Sequence, residues 1–215
     1  MSRGSISFVL TFATLLLATT VSCQRGPTPA KQPGINPSEA GKLAMEQYDK
    51  NGDGVVSGAE LDQAPGLKAA LKNLDTNGDG GVSADEVAAR VNAWIDMKVG
   101  MILLRCRLTL DGEPLTGAKV VFEPEQFLGD EIKAASGETN VYGDVSPVIP
   151  PEERTDPTLP GGAHIGLYKV RISKIVNGKE TIPARYNSET ILGQEVSYDD
   201  PAIKNRNMSF ALKSK

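Results

Sequence analysis

The 215-residue sequence predicts an α + β multidomain chain: a small all-α unit over residues 36–98, then an antiparallel β-sandwich over residues 99–215. Three observations carry that prediction. Two twelve-residue acidic loops, each flanked by apolar residues at helical spacing, occupy the first unit. Near residue 100 the apolar period changes from 3.6 to 2. Beyond it, short alternating segments are separated by Gly/Pro turns, the pattern of a sandwich. The length suits two small domains, and a 40% apolar fraction is enough for ordinary cores. The net charge of −4 is mild, but residues 36–98 hold eleven Asp/Glu against six Lys/Arg. The acidity therefore lies where the loops are, and no basic stripe points to nucleic acid.

Residues 1–23 read as an export signal. Arg3 supplies a positive start, and Phe8 to Ala18 is an apolar run of signal-peptide length, short for a bilayer span. The run ends Thr20-Val21-Ser22-Cys23, which resembles a bacterial lipoprotein cleavage site. The resemblance implies lipidation of Cys23 and a membrane anchor, although Thr20 stands where that motif usually has leucine. Ordinary signal-peptidase cleavage would instead leave a soluble exported protein. The expected location is the cell envelope as a membrane-anchored lipoprotein, otherwise periplasmic or extracellular. Residues 24–35 form a Pro/Gly-rich flexible linker with nothing to bury.

Asn36-Pro37-Ser38-Glu39 then starts a helix, with Asn36 as N-cap and Pro37 at the first helical position. The helix offers Leu43, Met45 and Tyr48 for packing and runs into the first acidic loop, Asp49 to Glu60. A second helix offers Leu67, Leu71 and Leu74 and enters the second loop, Asp75 to Glu86. Val87, Val91, Trp94 and Ile95 share one face of the exiting helix, Trp94 as core or domain contact.

Calcium is a hard cation that takes six to eight oxygen ligands, and a twelve-residue loop supplies them from positions 1, 3, 5, 7, 9 and 12. In loop one these are Asp49, Asn51, Asp53, the Val55 carbonyl, Ser57 through water, and Glu60. In loop two they are Asp75, Asn77, Asp79, the Gly81 carbonyl, Ser83 and Glu86. Gly54 and Gly80 hold position 6, which needs positive φ. Ser57/Glu60 and Ser83/Glu86 have capping-box spacing, and Val56 and Val82 at position 8 are expected to meet in a short strand contact. Residues 37–98 thus resemble a pair of EF-hands. Only 14 residues separate Glu60 from Asp75, and Pro65-Gly66 interrupts them, so the first exiting helix is a turn or two. With three carboxylates per loop and Lys50 inside the first, Kd values of about 10⁻⁴ to 10⁻³ M are expected.

The β region opens with Ile102 to Leu110, whose even positions are apolar while Arg105, Arg107 and Thr109 face away. Cys106 is then a buried core residue rather than a reactive thiol, and two cysteines make no disulfide framework. A second strand turns Ala118, Val120 and Phe122 inward. Further strands are expected around 132–138, 142–148, 167–174, 193–198 and 207–213. Pro147 to Gly162, with five prolines, reads as a mobile loop. The phrases Leu108 to Pro124, Gly166 to Ile172 and Ile182 to Asn187 resemble a carboxypeptidase-regulatory-like, transthyretin-like (prealbumin-like) sandwich. Versions of that domain occur in exported planctomycete-type bacterial lipoproteins, and the resemblance spans residues 100–215. Fold likeness of this kind carries no function with it.

No enzyme is expected. Hydrolases with a transthyretin-like fold use several histidines and end in Tyr-Arg-Gly-Ser, and related iron dioxygenases need two histidines and two tyrosines. This chain has only His164, expected to be a solvated loop residue, and ends Ala-Leu-Lys-Ser-Lys. No Gly-x-Ser-x-Gly elbow, phosphate loop or His/Cys zinc cluster appears. Acidic residues outside the loops read as solvated surface, with Tyr142, Tyr186 and Tyr198 as candidate surface aromatics. The expected function is calcium binding by an exported envelope protein whose sandwich is a structural or adhesive module. The alternative is a carbohydrate- or protein-binding module in which calcium only stabilises the fold, its envelope protein or glycan partner unidentified.

Overall fold

The computed structural model describes Met1, residues 31–158 and residues 161–215. The expected export segment, Cys23 and residues 24–30 of the expected linker lie outside the described residues. Residues 32–34, expected to be linker, are held on both halves of the molecule. Gln32 donates to the Trp94 carbonyl at 2.8 Å, and the Gly34 amide donates to Glu131 at 2.7 Å.

Helix α1 (Pro37–Tyr48) starts as its cap dictates, Asn36 accepting from the Glu39 amide at 3.2 Å. Strand β1 (Val55–Ser57) follows, then α2 (Ala59–Asp62), a single turn because Pro65 opens α3 (Pro65–Leu74) three residues later. After β2 (Gly81–Ser83), α4 (Ala84–Asp96) begins on a complete capping box between Ser83 and Glu86. Loop one forms half of that box. The N-cap of α2 is Gly58 rather than Ser57, and of the two bonds of the box only that from the Ser57 amide to Glu60 forms, at 3.2 Å. β1 and β2 pair antiparallel with Val56 opposite Val82, both fully buried, as expected. α1 lies against α4 so closely that a Cβ on Gly41 would stand 2.2 Å from the Ala84 carbonyl oxygen.

The β half runs β3 (Cys106–Leu110), β4 (Glu113–Pro114), β5 (Lys119–Pro124), β6 (Ala135–Glu138) and β7 (Asp144–Val145). It continues with β8 (Gly166–Ser173), β9 (Ile175–Val176), β10 (Lys179–Glu180), β11 (Gly193–Val196), α5 (Pro201–Lys204) and β12 (Met208–Leu212). One sheet has the order β11-β8-β5-β6, antiparallel throughout. The other has the order β12-β3-β4, with β7 also on β3, while β9 and β10 form a separate hairpin. The β3–β12 pair is parallel, Leu108 opposite Phe210, so the region is antiparallel-rich rather than purely antiparallel. A parallel pair needs a long crossover, and nearly the whole β half separates these two strands.

The alternation expected from sequence sets the core. Val120, Phe122, Val170, Ile172, Leu108 and Leu212 are buried, and Phe122 bridges the two sheets by meeting Phe210 edge-on at 6.3 Å. Cys106 is buried too, and burial pushes its thiol up to about 12, with Asp144 adding to the effect, so it is unreactive. Two expectations about side chains are corrected. Tyr186 is buried, unlike the exposed Tyr142 and Tyr198, and His164 is buried rather than solvated, accepting from the Lys133 amide at 3.3 Å. The described part of 147–162 is anchored: Val148 pairs with Ser136, and the buried Ile149 donates to Gly162 at 2.8 Å.

The hydrophobic core is continuous from the helices into the sheets. α3 lies across β11 at Gly193, where a Cβ would stand 1.8 Å from the Pro65 carbonyl oxygen. Tyr48 meets Phe127 edge-on at 6.4 Å. No helix among the described residues is long and apolar enough to cross a membrane.

Candidate calcium loops and the carboxylates behind them

Each acidic loop is folded by its own side chains. Asp49 ends α1, and its two oxygens accept from the Gly52 and Gly54 amides at 2.7 and 2.9 Å. Asn51 accepts from the Asp53 amide at 2.8 Å, and Asp53 accepts from the Val55 amide at 2.9 Å. Loop two repeats the pattern. Asp75 accepts from Gly78 and Gly80 at 2.6 and 3.0 Å, Asn77 from Asp79 at 2.8 Å, and Asp79 from Gly81 at 2.9 Å. Gly54 and Gly80 sit at φ +88° and +86°, the left-handed region that position 6 requires. Gly81 is needed for room as well. A Cβ there would approach Val55 to 2.2 Å, because the two loops are zipped by β1 and β2.

The last ligand position is held from behind. Glu60 accepts from the Lys50 and Asn51 amides at 2.8 and 3.1 Å, and Glu86 accepts from the Thr76 and Ser83 amides, each at 2.9 Å. Burial works to raise the Glu86 carboxyl, but bonds from Ser83, Thr76 and Asn77 outweigh it and hold the group below its ordinary value. The Ser83 hydroxyl points into this cap, donating to Glu86 at 2.9 Å.

The donor set fits calcium: side-chain carboxylates, amide oxygens and strand carbonyls, all hard oxygen. The oxygens of Asp49, Asp53 and Asp79 each accept a single bond and keep a lone pair for an ion. Among the described residues no three His, Cys, Asp or Glu side chains gather around one point. For Glu60 and Glu86 to close a shell, their bonds to the loop amides must be exchanged for the ion.

The sequence reading missed what stands behind the loops. Two carboxylates of the β half, Glu125 and Glu195, are buried and receive the helices that flank them. Tyr48, the residue before Asp49, donates to Glu125 at 2.6 Å, and Gly66 at the start of α3 donates to it at 3.1 Å. Asn73, two residues before Asp75, donates to Glu195 at 2.7 Å. Arg90 and Trp94, on α4 just beyond Glu86, donate to its other oxygen at 2.6 and 2.9 Å. Arg90 also grips Asp199 with both terminal nitrogens at 2.8 Å.

Burial pushes both glutamates above their ordinary range, against the pull of Tyr48 and Lys169 on Glu125 and of Arg90, Asn73 and Trp94 on Glu195. For Glu195 the two partners point in different directions. The pair raises Arg90, which favours the ion pair, while the carboxyl itself loses more to desolvation than it regains. A guanidinium does not give up its proton and lies 2.5 Å away, so Glu195 is ionised at neutral pH. Glu125 lies just past β5 and Glu195 neighbours the equally buried Val196, so period-2 parity offered no signal for either.

The sequence model of the EF hand matches residues 42–63 and 67–89, one match over each loop and its flanking helices. No curated protein matches the chain. Loop geometry, zipped strands and family match agree, and residues 42–89 are an EF-hand pair.

Proposed function

We propose that this protein is an exported calcium-binding protein of the cell envelope, in which calcium locks the EF-hand pair onto a transthyretin-like sandwich. Cys23 is the lipid anchor in this reading, and the sandwich is a structural or adhesive module without catalysis. The ligands are Asp49, Asn51, Asp53, Val55, Ser57 and Glu60 in one site and Asp75, Asn77, Asp79, Gly81, Ser83 and Glu86 in the other. One observation carries the reading. The helix ends beside both loops are hydrogen-bonded to the buried carboxylates Glu125 and Glu195 of the β half. A sensor pair opens its helices to expose a groove, whereas these helices are already occupied with the rest of the chain.

The mechanism is linkage. An ion that binds only the folded state stabilises it by RT ln(1 + [Ca²⁺]/Kd), about 2.7 kcal/mol at a hundredfold excess over Kd. Without the ion, the clustered carboxylates of each loop repel one another and the flanking helices loosen. Calorimetric titration of the metal-stripped protein, with melting curves alongside, tests this. Two sites, each weakened in one of Glu60→Gln and Glu86→Gln, together with a calcium-dependent rise in Tm, support it. Unchanged stoichiometry and affinity in both variants refute the ligand assignment.

A further inference from the structure

Of the described arginines, Arg90, Arg107 and Arg171 are in ion pairs, Arg185 bonds two carbonyls near the C-terminus, and Arg154 bonds the Ile149 carbonyl. Arg105 and Arg206 form no such contact, and both line the same cleft of about 260 Å³. Lys204, also without an ion pair among the described residues, is a third cation on its rim, and no acidic residue lines it. On a chain of net charge −4, a cleft with three cations and no carboxylate is a local reversal of sign. Its remaining wall is apolar and includes Leu103 and Tyr198, both exposed, at 59% and 51%, with Ile203 beside them.

The backbone reinforces the arrangement. α5 ends in a Schellman turn, Arg206 donating to Ile203 at 3.1 Å and Asn207 to Ala202 at 3.0 Å. Arg206 occupies its left-handed position at φ +53°, where glycine is the usual residue because it has no Cβ to clash. Arg206 has no hydrogen bond or ion pair from its side chain among the described residues, so its guanidinium is open to a ligand.

We infer that this cleft binds a small amphiphilic anion, its carboxylate or phosphate on Arg105 and Arg206 and its short apolar part against Leu103, Tyr198 and Ile203. Guanidinium forks match both anion types. The apolar half takes only a short chain, being smaller than a typical drug-sized pocket. The cleft opens past Arg105 and Arg206 into a wider groove that contains Glu138 and Asp144. Asp144 is bonded there to Arg107 at 2.7 Å, and Glu138 stands along the path an extended polyanion would follow, so a compact ligand that carries its charge at one end fits best.

Octanoate is the probe, titrated into the full chain and followed by calorimetry and by chemical shifts of the cleft amides, beside inorganic phosphate, octanol and vesicles with and without phosphatidylglycerol. Binding by octanoate, weaker binding by octanol and by phosphate, and loss of about tenfold or more affinity in Arg105→Ala are expected. Arg206→Gly is the decisive variant, because glycine suits φ +53°: it should melt no lower than the parent and still lose the ligand. No octanoate binding at millimolar concentration overturns the inference. So does binding that Arg206→Gly and Arg105→Ala leave intact, equal binding of inorganic phosphate, or binding to anionic vesicles alone.

Discussion

Replacing Glu195 by alanine tests whether the EF-hand pair and the sheets act as one unit. The carboxylate is 1% exposed and receives Arg90, Trp94 and Asn73, so its loss leaves two neutral donors unpaired and one guanidinium half served. Breaking a buried charge pair costs about 3–5 kcal/mol when the partner is stranded. Here Asp199 still holds both terminal nitrogens of Arg90 at 2.8 Å, which places that share at the low end. The stranded Trp94 N–H adds roughly 1 kcal/mol, and the part-buried Asn73 amide little more. A total of about 4 kcal/mol lowers Tm by roughly 8–16 °C for a chain of this size. Because Asn73 and Arg90 flank loop two, its calcium affinity should fall about fivefold or more, with loop one less affected. Glu195→Gln keeps an acceptor for Arg90 and Trp94, and Asn73 can turn its amide to meet the new donor, so about 1–2 kcal/mol is expected. The assay is calorimetric melting with and without calcium, joined to a calcium titration. A Tm within 2 °C of the parent (well under the roughly 8 °C floor) and an unchanged loop-two affinity would refute the coupling.

Tyr48→Phe takes a hydrogen bond from the buried Glu125 and should cost about 1–3 kcal/mol in denaturant unfolding, weakening loop one more than loop two. Gly193→Ala places a Cβ 1.8 Å from the Pro65 carbonyl oxygen. It should destabilise by about 3 kcal/mol by forcing α3 off β11, and an unchanged unfolding midpoint would contradict that packing. His164, the sole histidine, is held below its ordinary pKa chiefly by burial, Lys133 adding to this and Glu131 opposing it. The unfolded chain therefore takes up its proton first, and stability contributed by the neutral ring is lost as pH falls below about 6.5. Glu125 has the opposite sign. Its raised carboxyl favours the protonated fold, so its contribution falls as pH rises from the ordinary carboxylate range. A His164→Asn variant should accordingly show a flatter Tm between pH 5 and 7 (about the range in which an ordinary histidine titrates), and an unchanged slope would mean that the ring is not the titrating group.

The loops were legible because everything that makes them is local. Asp49 to Glu60 and Asp75 to Glu86 place each ligand type by spacing alone, and the positive φ of Gly54 and Gly80 follows from the turn. The cap at Asn36 and the meeting of Val56 with Val82 are short-range matters of the same kind. Alternation likewise marked Val120, Phe122, Val170 and Leu212 as core, because parity within a strand needs no knowledge of its neighbour. Which strand lies beside which does need it, so the parallel β3–β12 pair could not be read off. The burial of Glu125, Glu195 and His164 had the same cause. A carboxylate enters a core only where donors from distant segments meet it, and Tyr48, Gly66, Asn73, Arg90 and Trp94 converge only after folding. The sequence by itself determined that two EF-hand loops exist and which residues stand at their ligand positions. Tertiary structure alone decided that the helices carrying them are tied to the β half, because that bond joins residues 59 to 122 positions apart.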